Sequence, residues 1–349
     1  MPARLYRRHS PGLAATYAEV ENHALSQGEI LVGTPGSATL RSNGTGSRFW
    51  VRQYYDFESR KRDQYIVGYD SPDAERRVTE LKQRIEDAKD LLKAVRMLAR
   101  EGYSTLTPRH LAALAPLTSH GFFQVGGLLV GTHAFDVIVN RLGIRAEAFA
   151  TEDVDLARAS QLAVRPMPEG GLLALLRQSG IDFVGVPQFD PRKPSTSFKE
   201  RGRSRFTVDL LVPAAGDKPG SQAVPELQAH AVALPYLRYL LSETQTGAAL
   251  STQGIAAVRV PIPERFALHK LIVSNLRAGR SEKSLKDLRQ AAVLIAALGE
   301  LHPGALEDAY RHTPVSMRSN VRASLEKLRD PLSAHPQAWE EVSSFAKLA

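Results

Sequence analysis

The chain has 349 residues, is 43% hydrophobic and 23% charged, and carries a formal charge of +8 with a pI near 9.7. No apolar run reaches the roughly 18 residues that a membrane-spanning helix needs. The absence of cysteine excludes disulfides and cysteine-ligated zinc and fits a reducing cytoplasm. Length predicts two or three packed units. The basic balance points to an acidic partner, nucleotide or nucleic acid first, although small-molecule enzymes share it.

In chain order, the N-terminal MPARLYRRHSPGLAATYAEV is basic and lacks an apolar core of the secretory type, so a cytoplasmic location is expected. Residues 38–68 predict a small β-sheet, because aromatic and β-branched residues flank the turn chemistry of NGTG (43–46). Alternation sets Arg48, Trp50, Arg52 and Tyr54 on one face, which suits either base stacking or a cross-strand cluster with snorkelling arginines. Ser71-Pro72 opens a helix predicted to run to about Arg100, with apolar residues recurring at Val78, Leu81, Ile85, Leu92 and Val95. Gly102 closes it and Thr107-Pro108 opens the next.

Between 120 and 215, short apolar runs separated by glycine predict alternating strands and helices. FFQV (122–125) reads as a strand, Gly126-Gly127 as a turn, and LLVGTHAFDVIVNRLG as a helix whose N-terminus favours an anion. ATEDVDLA (150–157) then alternates acid with apolar residues. In a strand, Asp153 and Asp155 share a face while Val154 and Leu156 point into a core. RFTVDLLVP (205–213) supplies Asp209 in a similar run. From 263 onward the pattern is almost wholly helical, interrupted at Pro303-Gly304 and Pro331. Three carboxylates on adjacent strands make a hard-oxygen site for Mg²⁺ (or Mn²⁺), whose charge offsets their mutual repulsion.

The order GG (126–127), DVD (153–155) and VDLL (208–211) resembles the nucleotidyltransferase superfamily typified by DNA polymerase beta and kanamycin nucleotidyltransferase. GTHAFDVIVNRLGIR…TEDVDLA is similar to a bacterial branch related to abortive-infection and type IV toxin nucleotidyltransferases. The resemblance covers roughly 120–300. It implies an α+β fold, a mixed sheet flanked by helices, with an N-terminal unit (1–103), a catalytic core (104–262) and a helical C-terminal region (263–349). It also implies that Asp153, Asp155 and Asp209 bind metal, with Asp209 a candidate base. Gly126, Gly127 and Thr132 would hold the nucleoside triphosphate.

The later motif PERFALHKLIVSNLRAGRSEKSLKDLRQA offers Lys270 and Arg277, which share a helix face, and then Lys286-Asp287. Lys270 and Arg277 would neutralise phosphate. The basic stretch RKPSTSFKERGRSR (192–205) brings Arg192, Lys193, Lys199, Arg201, Arg203 and Arg205 just ahead of Asp209, as a loop that could guide a polyanion. Lys286 and Asp287 join it as acceptor-side candidates.

The expected activity is Mg²⁺-dependent transfer of a nucleotide from a nucleoside triphosphate to a hydroxyl, with pyrophosphate leaving. RNA is the favoured acceptor, the 3′ end of tRNA included, with an antitoxin or a second copy as a further partner. A protein or small-molecule acceptor, or a binding module without turnover, are the alternatives. The gap between the double glycine and Asp153 is longer than in minimal superfamily members, and RLGIRAEAFA is read as an extended loop. Ser195, Thr196 and Ser197 have no His-Asp partner at a hydrolase spacing. His133 reads more readily as a packed histidine than as a catalytic one.

Overall fold

The computed structural model describes residues 3–188, 194–216, 218–277 and 282–347, which leaves Arg192 and Lys193 outside the described residues. β1 (Tyr6–Arg8) leads into α1 (Pro11–Ser26), whose N-cap Ser10 accepts a hydrogen bond from the Leu13 N–H. β2 (Ser37–Ser42), β3 (Arg48–Tyr55) and β4 (Lys61–Gly68) form the antiparallel sheet expected over 38–68. At the NGTG turn the Asn43 Oδ1 accepts from the N–H groups of Thr45 and Ser47. Arg52 is only 2% exposed. It donates to the carbonyls of Val32, Thr34 and Pro35 and to Gln64, so this arginine holds the sheet together rather than facing a ligand.

α2 (Ala74–Arg100) begins after the expected Ser71 cap. A turn closed by the Ala74 N–H on the Ser71 carbonyl takes up the intervening residues, and the Ser71 hydroxyl donates to Asp73 instead. Its stripe from Val78 to Leu98 is buried against β2, β4 and α1. Thr107 caps α3 (Pro108–His120) as the sequence suggests.

The next stretch departs from expectation. FFQV is a tight turn, and β5 (Gly127–Val130) and then α4 (Gly131–Arg141) follow it. Gly121 ends α3 in the left-handed region, and the Gly127 N–H closes the turn on the Phe122 carbonyl. Gly127 thus starts a strand rather than preceding a helix. A short apolar run such as LLV does not reveal which of the two it will form.

β6 (Ile144–Ala146) occupies part of the expected long loop and pairs antiparallel with β1. β7 (Asp153–Arg158), α5 (Gly171–Arg177), β8 (Phe183–Gly185), β9 (Ser197–Glu200), β10 (Thr207–Pro213), β11 (Gly220–Val224) and β12 (Ala229–Leu234) follow. Among the described residues the central sheet has seven strands. Its main path runs β11-β12-β10-β7-β5, with β9 pairing along β10 and β8 on β9. β10 is parallel to β7 and to β12, while the β5, β8, β9 and β11 pairings are antiparallel. The sheet is therefore mixed, and the fold is α+β. Within the predicted basic loop, Ser197–Glu200 is strand, held by Phe198 packing into the core.

α6 (Leu237–Leu241) leads to the hairpin of β13 (Thr244–Ser251) and β14 (Gly254–Pro261). The helices α7 (Pro263–Leu276), α8 (Glu282–Leu301), α9 (Ala305–Arg311), α10 (Val315–Leu325) and α11 (Pro336–Ser343) complete the described chain. The N-terminal segment is woven into both later regions. Tyr17, Val20, Val95 and Leu98 share one apolar cluster with Ala248, Leu250 and Ile255 of the hairpin. The fully buried His335 lies 2.7 Å from Glu300, which also accepts from Tyr6 and Arg4. Among the described residues no helix is long and apolar enough to cross a membrane.

Candidate active site

The alternation in DVDL becomes the geometry of the site. Val154 and Leu156 on β7, and Val208 and Leu210 on β10, are fully buried, while Asp153, Asp155 and Asp209 stay half-buried on the opposite face. In the parallel register Asp155 stands directly beside Asp209, and Asp153 beside Thr207. Neighbouring strands lie about 4.8 Å apart, so the acids are forced into proximity by backbone pairing. Thr207 Oγ1 donates to Asp153 Oδ1 at 2.9 Å.

Burial, followed by the Asp209 and Asp153 charges, pushes the Asp155 carboxyl up to about 6, against the attraction of Lys270 and His133. Burial also raises Asp209, against a hydrogen bond from Ser197. Thr207 and Ser197 are site residues that the sequence reading missed. Their only signal is position, opposite Asp153 and Asp209 on paired strands.

Gly131, at the junction of β5 and α4, is a third missed residue. Its φ is +68°, and a Cβ there would collide with Asp155 Oδ2. The backbone thus passes against the carboxylate at this point. Of the expected glycines, Gly126 has φ +105° with space around it, and Gly127 lies against the Phe122 ring. Thr132, the residue after Gly131, is 5% exposed and receives a long 3.5 Å contact from Gln290 Nε2 on α8. α4 has no side-chain cap, so its first N–H groups remain available to an anion.

Lys270 of α7 and Asp287 of α8 form a buried pair at 2.7 Å, and Arg277 binds the other Asp287 oxygen. Arg277 is the extended residue that ends α7, so it is Asp287 rather than a shared helix face that brings the two cations together. Lys286 lines a cleft of about 1150 Å³ together with Asp153, Lys283, Arg289, Arg205 and Arg109. Burial and the neighbouring Lys270 and Lys283 lower the Lys286 pKa. Among the described residues Lys283 and Lys286 make no ion pair. Among the described residues of the basic stretch, only Arg205 reaches the cleft; Arg201 pairs with Asp182 at 2.7 Å, Arg203 is exposed, and Lys199 lies half-buried on β9.

His133 and His110 contact edge to face at 4.3 Å, and both are buried. His110 is pushed down to about 3 by burial and by His133 and Arg109, so it is neutral at physiological pH. Neither nitrogen of His133 has a hydrogen-bond partner among the described residues, although Nδ1 lies 3.6 Å from Asp136.

The donor set, carboxylate oxygens with hydroxyl support, suits a hard divalent cation. As they stand, the described residues contain no cluster of three or more His, Asp or Glu side chains close enough to hold a metal alone.

Residues 109–314, which include every one of these aspartates, match the model of a family described as nucleotidyltransferase. The chain belongs to this nucleotidyltransferase family. A crystal structure of an antigenic nucleotidyltransferase-like protein from Paracoccidioides brasiliensis is similar at 16% identity and a TM-score of 0.34, covering 67% of this chain and 92% of that one. None of the curated proteins matches the chain.

Two outcomes follow for the nucleotidyltransferase site. Gly131→Ala should cut activity by about 10²-fold or more, as lost site geometry does, whereas Gly126→Ala should cost far less; steady-state rates of both variants check this. Asp155, whose folded pKa is raised, penalises the folded state above pH 6, and the penalty fades as pH falls toward 4. Asp155→Asn should therefore raise the thermal midpoint at pH 7.5 by about 2–5 °C and have little effect at pH 4, as measured by calorimetry.

Proposed function

We propose that the protein transfers a nucleoside monophosphate from a nucleoside triphosphate to a hydroxyl at the end of an RNA chain. The observation that carries this reading is the adjacency of Asp153, Asp155 and Asp209 on paired strands, with Asp153 lining a cleft whose lining cations outnumber its acids. Asp153, Asp155 and Asp209 would hold Mg²⁺ or Mn²⁺, which when bound neutralises charge on the α-phosphate and the departing pyrophosphate.

The chain's own groups do the rest. Free N–H groups at Gly131–Thr132 hold a phosphate oxygen. Lys283 and Lys286 attract the β- and γ-phosphates, and Asp287 fixes Lys270 beside Asp155. Asp209 accepts the proton of the attacking hydroxyl. The new O–P bond forms at the α-phosphorus as its bond to the bridging oxygen breaks, and pyrophosphate leaves. Positioning and electrostatics supply most of the acceleration, since little covalent chemistry falls to the protein.

RNA is favoured over a protein or a small molecule because Arg109, Arg205, Lys283, Lys286 and Arg289 all line the cleft, whose volume exceeds the usual 300–1000 Å³ range of small-molecule pockets. Incubation with each α-labelled nucleoside triphosphate, Mg²⁺ and total RNA plus protein should label RNA, with less labelling as salt rises. Asp153→Asn/Asp155→Asn should abolish the label. Label in protein, or label that persists in the double variant, contradicts the proposal.

A further inference from the structure

Among the described residues lining the cleft, Phe57 alone comes from the N-terminal sheet, at the turn between β3 and β4. The turn is built rather than loose. Asp56 is 6% exposed, accepts from the N–H groups of Glu58 and Arg60 at 2.9 Å each, and binds Arg60 Nε and Arg62 Nε at 3.0 and 2.9 Å. Gln253, at the tip of the β13–β14 hairpin, donates to the Asp56 carbonyl at 3.4 Å. Arg109 reaches Glu58 at 3.5 Å and Glu200 at 3.1 Å, and its guanidinium lies 5.4 Å from the Phe57 ring centroid. Contacts on both sides therefore hold the ring at the cleft. Such fixing reduces the ordering cost of binding a ligand against it.

The other aromatic rings of the cleft are engaged. Phe206 is 2% exposed and packs edge to face on His110, and Phe149 packs edge to face on Phe135. Phe57 is half-buried, contacts no aromatic ring among the described residues, and hangs from a separate sheet. A fixed aromatic face beside arginines is how proteins hold single-stranded nucleic acid without reading its sequence.

We propose that Phe57 stacks on the terminal base of a single-stranded RNA acceptor, with Arg109 as the positioning residue that locks the ring in place. This rests on the RNA-acceptor reading above. It makes the N-terminal sheet part of acceptor recognition.

The test is binding of a fluorescein-labelled RNA decamer with a free 3′ hydroxyl to the full-length protein, measured by anisotropy. Phe57→Leu, which keeps apolar bulk but removes the aromatic face, should weaken binding about tenfold, while Phe57→Trp should keep it. The same decamer ending in an abasic nucleotide should bind the wild type about tenfold more weakly, and Phe57→Leu should then cost nothing more. Binding of an α,β-methylene nucleoside triphosphate should be unchanged by Phe57→Leu. If Phe57→Leu binds the intact decamer as the wild type does, or loses the triphosphate analogue instead, the stacking role is wrong while the RNA reading stands. If the wild type shows no salt-sensitive binding of the decamer, the RNA reading fails and the stacking role fails with it.

Discussion

Parallel pairing of β7 with β10 is the constraint on which the rest of the site depends. The register sets Asp155 beside Asp209 and leaves the chain no way to move one acid without the other. Because Val154, Leu156, Val208 and Leu210 are buried, a slip of one residue would drive carboxylates into the core and apolar side chains into the cleft. Hydrophobic burial thus holds together charges that repel one another. The cost appears as the raised affinity of Asp155 and Asp209 for protons, and a divalent cation brought in with substrate phosphate would relieve it.

The positive side of the site comes from the C-terminal helices, and one buried acid organises it. Asp287 binds both Lys270 and Arg277, so these cations are held in place before any substrate arrives. Lys283 and Lys286, one turn apart at the start of α8, stay unpaired among the described residues, and Lys286 faces the cleft beside Lys283. Fixed charge near the carboxylates and free charge at the mouth suit a reaction that must bind a polyanion and then release pyrophosphate. The N-terminal segment is tied into this frame by the β1–β6 pairing and by the Tyr6–Glu300–His335 cluster, and its sheet reaches the cleft through Phe57.

Much of this was legible in the sequence where period and chemistry coincide. The acid–apolar alternation of DVDL and VDLL gave both strands and their exposed faces, and Pro108, Pro263 and Gly102 marked helix boundaries that the structure keeps. Lys270 and Arg277 were expected on one helix face, but α7 ends at Leu276, and their common partner Asp287 comes from the next helix, beyond the reach of any single-helix pattern. FFQV became a turn and LLV a strand because a run of three or four residues carries no period. What decided between them was Gly121 ending α3 and Phe122 closing over Gly127. Gly131 was passed over because its constraint is a tertiary contact. Its need for a bare Cα arises from Asp155, which lies 24 residues on in the chain and meets it only in the folded sheet.

The most direct measurement is the paramagnetic resonance of Mn²⁺ titrated into the protein with and without an α,β-methylene nucleoside triphosphate. The proposed function makes Asp153, Asp155 and Asp209 a metal site that substrate phosphate completes. Weak binding of the ion alone, tightened strongly by the analogue and abolished by Asp153→Asn and by Asp155→Asn, is the predicted result. Tight Mn²⁺ binding that needs no nucleotide and survives both replacements would contradict the account.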